Sequence, residues 1–241
     1  MDERKQEIFH AIVRHFIQTA TPVGSNTILV SYKLSVSPAT IRNDMVFLEH
    51  EGLLYQPHTS AGRIPTDLGY RMYVNNIQKE ERIREKVQKD IHRLLAFYRT
   101  HKAKEHIYDA VGLLADSSNN VSFATLPDQS RTFYLGLSHI LKQPEFRENP
   151  MMASQVVEVF EHNNNFLSTL HTLDITDDVK IFIGKENIIE KIQSCSLIVS
   201  QYNFEGHKGF IGILGPTRMN YAYCTVALEE IKKILEKNKL H

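Results

Sequence analysis

The chain has no tryptophan and almost no cysteine: Cys195 and Cys224 are the two thiols among 241 residues. They are far apart in sequence, with no Cys-x-x-Cys and no second pair. That excludes a disulfide framework or a cysteine zinc cluster and predicts reduced, buried thiols. Long apolar runs are missing too. No window approaches the roughly eighteen consecutive apolar residues of a membrane span, and Met1-Asp2-Glu3-Arg4-Lys5-Gln6 has no hydrophobic segment behind it. The expectation is a cytoplasmic protein with no membrane partner. Nor is either charge in excess, since 28 Lys+Arg balance 28 Asp+Glu. The broad positive field with which many nucleic-acid binders gather their ligand is therefore absent. What remains is ample apolar content, 42% of residues, which excludes disordered and fibrous classes and supports one large domain or two smaller ones.

Charge is distributed unevenly. Residues 1–75 carry seven cations and seven anions, residues 76–105 carry nine and five, and the remainder carries twelve and sixteen. Nucleic-acid binding must then rest on a motif and on a few well-placed cations.

From Arg4 to about Thr19, Ile8, Phe9, Ile12, Val13, Phe16 and Ile17 recur at helical spacing, and Thr21-Pro22-Val23-Gly24 ends the run. A second short helix holds Ile28, Leu29 and Tyr32, and a turn is expected around Lys33-Leu34-Ser35-Val36. Ser37-Pro38-Ala39-Thr40 is the strongest helix start in the chain. Serine can cap an orphan amide, and proline at the first helical position sacrifices no bond. Ile41, Met45 and Leu48 follow as an inward stripe, with Gly52 as the stop. Three helices with a tight turn before the third predict a helix-turn-helix whose third helix is the reader. Next, Leu53 to His58 and Ile64 to Thr66 are short extended runs around Thr59-Ser60-Ala61-Gly62-Arg63, the makings of a β-wing with prolines in both arms.

Beyond Tyr70, Tyr73, Val74 and Ile77, a charged helical stretch repeats Ile83, Val87, Ile91, Leu94 and Tyr98 at a spacing suited to one partner helix. After Ile107 the pattern becomes mixed. Helices are expected over 107–117, 136–142, 153–170, 185–193 and 221–237, and strands over 121–126, 131–135, 179–183, 196–202 and 209–214. The fold class is α+β, with a winged helix-turn-helix domain over 1–75, a helical linker over 76–105 and a small α+β domain over 106–241.

With Ile41, Met45 and Leu48 inward, Ala39, Arg42, Asn43 and Val46 fall on the outer side of the third helix and Thr40 near its edge. Arginine can bind guanine and asparagine adenine through paired hydrogen bonds, while the methyl of Ala39 or Thr40 can meet a thymine methyl. Thr40, together with the amides that Ser37 begins, could instead hold a phosphate. In the wing, Ser60 to Gly62 let backbone approach a duplex, with His58 and Arg63 beside them and Arg63 supplying charge. Arg71, Lys79 and the linker cations are further candidates for phosphates.

Catalytic patterns are lacking. His10 and His15, like His101 and His106, stand five apart and miss the helical spacing of a metal pair. Gly184-Lys185-Glu186 is no phosphate loop. The glycines at 206, 209, 212 and 215 miss the dinucleotide fingerprint, and no Gly-x-Ser-x-Gly is present. The expectation is a protein without enzymatic activity, metal or cofactor.

Several stretches resemble the HrcA family of heat-inducible transcription repressors: Pro22-Val23-Gly24-Ser25, Ser37 through Asn43, Leu48-Glu49-x-x-Gly52, Gln56 through Thr66 and Gly69-Tyr70-Arg71. Gln143-Pro144-Glu145-Phe146 and Gly215-Pro216-Thr217-Arg218-Met219-x-Tyr221 match farther on. The resemblance implies a winged helix-turn-helix joined to a GAF-like domain, a homodimer on an inverted-repeat operator upstream of chaperone genes, and control by a GroEL-type chaperonin. It also implies further strands and an inserted dimerisation domain where this chain has Pro127-Asp128-Gln129-Ser130. Two other readings compete: a ligand-sensing regulator using the C-terminal domain, and a protein-interaction module whose winged helix contacts protein.

Overall fold

The computed structural model describes residues 1–32, 36–77, 81–95, 103–126, 131–161, 163–204 and 206–237. The chain forms two compact units, residues 1–77 and 78–241.

In the first unit, α1 (Glu3–Thr19) begins where the Asp2 carboxylate accepts the Lys5 N–H at 2.9 Å, and it ends at Ala20 in the left-handed region. Its stripe Ile8, Phe9, Ile12 and Val13 is buried together with Ile28 of α2 (Ser25–Tyr32) and Ile41, Met45 and Leu48 of α3 (Pro38–His50). Each such side chain contributes roughly 1.5–3 kcal/mol on leaving water, so this small core sets the pose of α3. The expected turn at Lys33-Leu34-Ser35 lies outside the described residues. The chain then forms a minimal hairpin of β1 (Leu54–Tyr55) and β2 (Ile64–Pro65), pairing Leu54 with Pro65 and Tyr55 with Ile64. Helix α4 (Asp67–Asn76) is capped by Thr66, whose hydroxyl accepts the Gly69 N–H at 3.0 Å. Gly69 is required there: a Cβ would lie 2.1 Å from the Leu53 carbonyl oxygen.

The second unit holds a five-stranded antiparallel sheet in the order β4-β3-β7-β6-β5, built from β3 (Val121–Thr125), β4 (Thr132–Leu135), β5 (Lys180–Ile183), β6 (Cys195–Phe204) and β7 (His207–Pro216). All five expected strands are present, with shifted ends. Alternation divides the central strands between two faces. Phe123, Leu197, Val199, Phe210 and Leu214 join a core with Phe146 of α8 (Pro144–Glu148), Val156 and Phe160 of α9 (Pro150–Glu161) and Phe166 and Leu170 of α10 (Asn163–Thr172), with α7 (Leu137–Leu141) at its margin. The Phe123 and Phe166 rings meet edge-on at 4.9 Å. The other face packs on α6 (Ala103–Ser118) and α11 (Tyr221–Glu236). There the tyrosine Oη of Tyr221 lies 2.7 Å from Ser196 Oγ, and the Lys232 ammonium donates to Ser200 Oγ and the Asp177 carbonyl. The fold class is α+β.

Three segments differ from expectation. Residues 185–193 form two short 3-10 turns, Gly184–Glu186 and Glu190–Ile192. The buried Asn187 amide donates to the carbonyls of Gly184 and Cys195, at 3.0 and 2.7 Å, and the Glu186 carboxylate accepts the Ile183 N–H. These local side-chain bonds compete with helix formation. The stretch 153–170 is two helices, α9 and α10. Within 76–105, read as a linker, α5 (Glu81–Leu95) packs on α6 and α11 in the second unit. Its Val87 and Ile91 are buried, Arg84 Nη1 donates to Glu230 at 2.9 Å, and the Tyr223 hydroxyl donates to Asp90 at 3.0 Å. Tyr98, Lys79 and residues 127–130 lie outside the described residues.

Cys195 and Cys224 are buried free thiols. Burial pushes each up to about 12, far from the thiolate that reactive cysteines need. Among the described residues, no helix is long and apolar enough to cross a membrane and no group of side chains could hold a metal ion.

Candidate nucleic-acid interface

Helix α3 is started and stopped by its own residues. Ser37 Oγ accepts the Thr40 N–H at 3.1 Å and lies 2.9 Å from the Thr40 hydroxyl, Pro38 occupies the first turn, and Gly52 takes φ +71° beyond the C-terminus. Ala39, Arg42 and Asn43 stand exposed on one side of the helix, with Val46 one turn farther and Thr40 half-buried at the edge. Cβ vectors at these spacings share a face, so the guanidinium, carboxamide and small apolar groups are presented together. Phe47 also reaches the surface, with the Lys5 ammonium 5.2 Å from its ring centroid.

Of the two acids of this helix, Asp44 is turned inward. Asp44 is buried and accepts two bonds from Arg4, Nε at 2.9 Å and Nη2 at 3.1 Å. This fork ties the start of α1 to α3 and neutralises a carboxylate that would otherwise repel phosphate. Arg4 is held above its ordinary value by that hydrogen bond.

The wing is organised around its base. Gln56 Nε2 donates to the carbonyls of Thr59 and Ala61, and the Ala61 N–H donates to the His58 carbonyl. His58 and Ser60 are exposed at the tip, with Nδ1 and Oγ 3.2 Å apart. Arg63 exchanges both backbone bonds with Val23, each 2.9 Å. Its guanidinium is turned onto α3, with Nη2 2.9 Å from Glu49 Oε2 and the side chain only 13% exposed. Gly62 serves this arrangement, because a Cβ there would lie 2.4 Å from the Val23 carbonyl carbon. The room it leaves is filled by protein. Arg71 is half-buried on α4.

Of the expected site residues, Ala39, Arg42 and Asn43 therefore share the outer face of α3, with Ser37 and Thr40 at its start. His58 and Ser60 share the wing tip, while the Arg63 guanidinium is turned onto Glu49 of α3 and Arg71 is half-buried on α4. Sequence reasoning missed Phe47 and the Glu49–Arg63 pair. The one signal for that pair was that Glu49 and Arg63 both sit in stretches that carry the resemblance.

Two motifs with no assigned role meet in the second unit. Arg218 donates to Glu145 through Nε and Nη2 and to Gln143 Oε1 through Nη2 at 2.7 Å, binding the start of α8 to the turn before α11. Tyr221 is fully buried and donates to the Thr217 carbonyl.

Compared with known proteins, residues 74–224 match the family model described as HrcA protein C terminal domain, and residues 25–66 match a DeoR-like helix-turn-helix domain. A heat-inducible transcription repressor HrcA from Desulforamulus reducens is 30% identical, the alignment covering 98% of this chain and 96% of that protein. One from Desulfitobacterium hafniense is 28% identical over 99% of each. The first alignment runs over 337 positions against 241 residues here, so at least 96 positions of that relative have no counterpart in this chain. A crystal structure of a hypothetical protein shares the fold with a TM-score of 0.78 at 19% identity, covering 98% of this chain and 97% of that one.

Proposed function

As a member of the HrcA family, to which this chain belongs, the protein is, we propose, a sequence-specific DNA-binding transcriptional repressor of heat-inducible genes. The observation that carries the proposal is the outer face of α3. Arg42 and Asn43 are exposed side by side on a capped helix, whose buried Asp44 is already paired with Arg4. In a major groove, Arg42 would donate to guanine O6 and N7, Asn43 would bind adenine N6 and N7, and Ala39 would meet a thymine methyl. Ser37 and Thr40 would face phosphate at the helix start, and His58, Ser60 and Arg71 would follow the flanking backbone. No step of this mechanism makes or breaks a covalent bond.

The family resemblance extends the proposal to a homodimer on an inverted repeat and to control by a GroEL-type chaperonin. An inverted repeat follows from two-fold symmetry, since two copies of one reading helix present the same contacts in opposite directions. The ligand-sensing alternative has one observation in its favour: a cavity of about 470 Å³ in the second unit, floored by Val159, Phe166 and Ile189 and rimmed by the Glu158–Lys191 ion pair.

Selection of bound duplexes from a random pool tests the proposal. Repression by a dimer predicts a symmetric motif with two equivalent half-sites. Recovery of unrelated sequences at equal yield refutes sequence-specific reading. Because few cations are present, the salt slope of binding should be shallow.

A further inference from the structure

The wing arginine is the residue with which this fold most readily invites a DNA contact, yet the geometry gives it other work. We infer that Arg63 is a positioning residue: with Glu49 it clamps the wing to the reading helix, and the tip, not this guanidinium, meets the duplex. The inference rests on the proposed DNA reading and deepens it.

Three observations converge on the clamp. The Arg63 backbone is paired with Val23 on both its N–H and its carbonyl, so the C-terminal arm of the wing is fastened to the segment that leads into α2. The side chain then crosses to α3, where Nη2 meets Glu49 at 2.9 Å. Its Nε is buried as well, with no hydrogen-bond partner, so that donor is closed to any phosphate in this conformation. One residue thus joins the wing, the start of α2 and the C-terminal half of α3. Gly62 lets the three segments approach, since any side chain there would strike the Val23 backbone. The clamp adds a side-chain tie between the reading helix and a wing whose own ladder is the minimal β1–β2 pair, and so fixes the angle between them.

A direct phosphate contact and a clamp predict opposite signs for the partner acid. If Arg63 touched DNA, removing Glu49 would free a cation and delete a repelling charge, and binding would tighten. If Arg63 positions the wing, the same change loosens it and binding weakens.

The test uses the full-length chain in two arms. In the first, without DNA, amide hydrogen exchange is compared between wild type and Glu49→Gln, whose side chain is one-third exposed and whose loss leaves the core intact. The expected result is faster exchange at Val23, Ala61 and Arg63. Unchanged exchange at these amides overturns the inference. In the second, binding to the selected duplex is titrated at several salt concentrations for wild type, Glu49→Gln, Arg63→Gln and the charge swap Glu49→Arg with Arg63→Glu. Both single variants should weaken binding about tenfold with the salt slope unchanged, and the swap should recover most of the loss. A slope lower by about one for Arg63→Gln, the value of one lost phosphate contact, overturns the clamp, as does tighter binding by Glu49→Gln. If the wild-type chain selects no DNA while the exchange arm behaves as expected, the functional reading fails and the clamp stands.

Discussion

The two units treat polar side chains in opposite ways. In the second, they are drawn inside and consumed by the protein: Lys232 donates to Ser200 and the Asp177 carbonyl, Tyr202 to the Thr125 carbonyl, and Asn187 to the carbonyls of Gly184 and Cys195. In the first, Arg42 and Asn43 of α3 face outward, while Asp44 of α3 and Arg63 of the wing bond inward and hold the helix and wing in place. A buried polar group must be satisfied where it lies, whereas an exposed one keeps its donors for a ligand. On the proposed reading, this contrast assigns DNA selectivity to the first unit, while the inward polar bonds of the second serve its own packing.

The largest effect is expected in the aromatic core of the second unit. Phe123→Ala should cost about 3–5 kcal/mol in denaturant unfolding of the second unit, with faster hydrogen exchange throughout the sheet. An equal loss of protection in α1–α4 would erase the distinction between the units. Arg42→Ala should do the reverse: a loss of about 1–3 kcal/mol in DNA affinity with relaxed selectivity at one base pair. Its effect on stability should stay within about 0.5 kcal/mol. Equal losses on operator and random DNA would assign Arg42 to phosphate. Lys232→Met should lower stability by about 1–2 kcal/mol through lost charged hydrogen bonds, partly offset by apolar packing, and leave DNA affinity unchanged.

The smallest effect is a pH dependence confined to the first unit. Burial, and then Arg14, holds the His10 imidazole below its ordinary 6.5, and its ring meets Tyr73 edge-on. The unfolded chain takes up a proton in the ordinary histidine range while the folded unit resists it. The stability contribution is therefore complete above about pH 6.5 and declines as pH falls through the folded value. Urea titrations at about pH 7.5 and about pH 5.5 should show the decline, and His10→Phe should flatten it.

Most of the fold was legible from periodicity and punctuation. Strands such as 121–125 and 195–204 are short apolar runs bounded by turn signals, and α3 carries its own start and stop. What escaped depended on contacts between distant residues. The docking of α5 needed Glu230 and Tyr223 on a helix well over a hundred residues away, and the turns over 184–192 needed the Asn187 amide to find carbonyls on both sides. At the candidate interface, the outer face of α3 followed from helical geometry. The orientation of Arg63 did not, because a cation beside glycine in a wing loop has the same sequence whether it faces solvent or folds back onto an acid.

The Ser37 cap carries a thermodynamic corollary. On the proposed reading, α3 enters the groove already formed, its ends set by its own hydroxyl, proline and glycine, so association spends no coil-to-helix entropy on it. The heat capacity change on complex formation should then reflect the area covered, without the excess that accompanies folding upon binding.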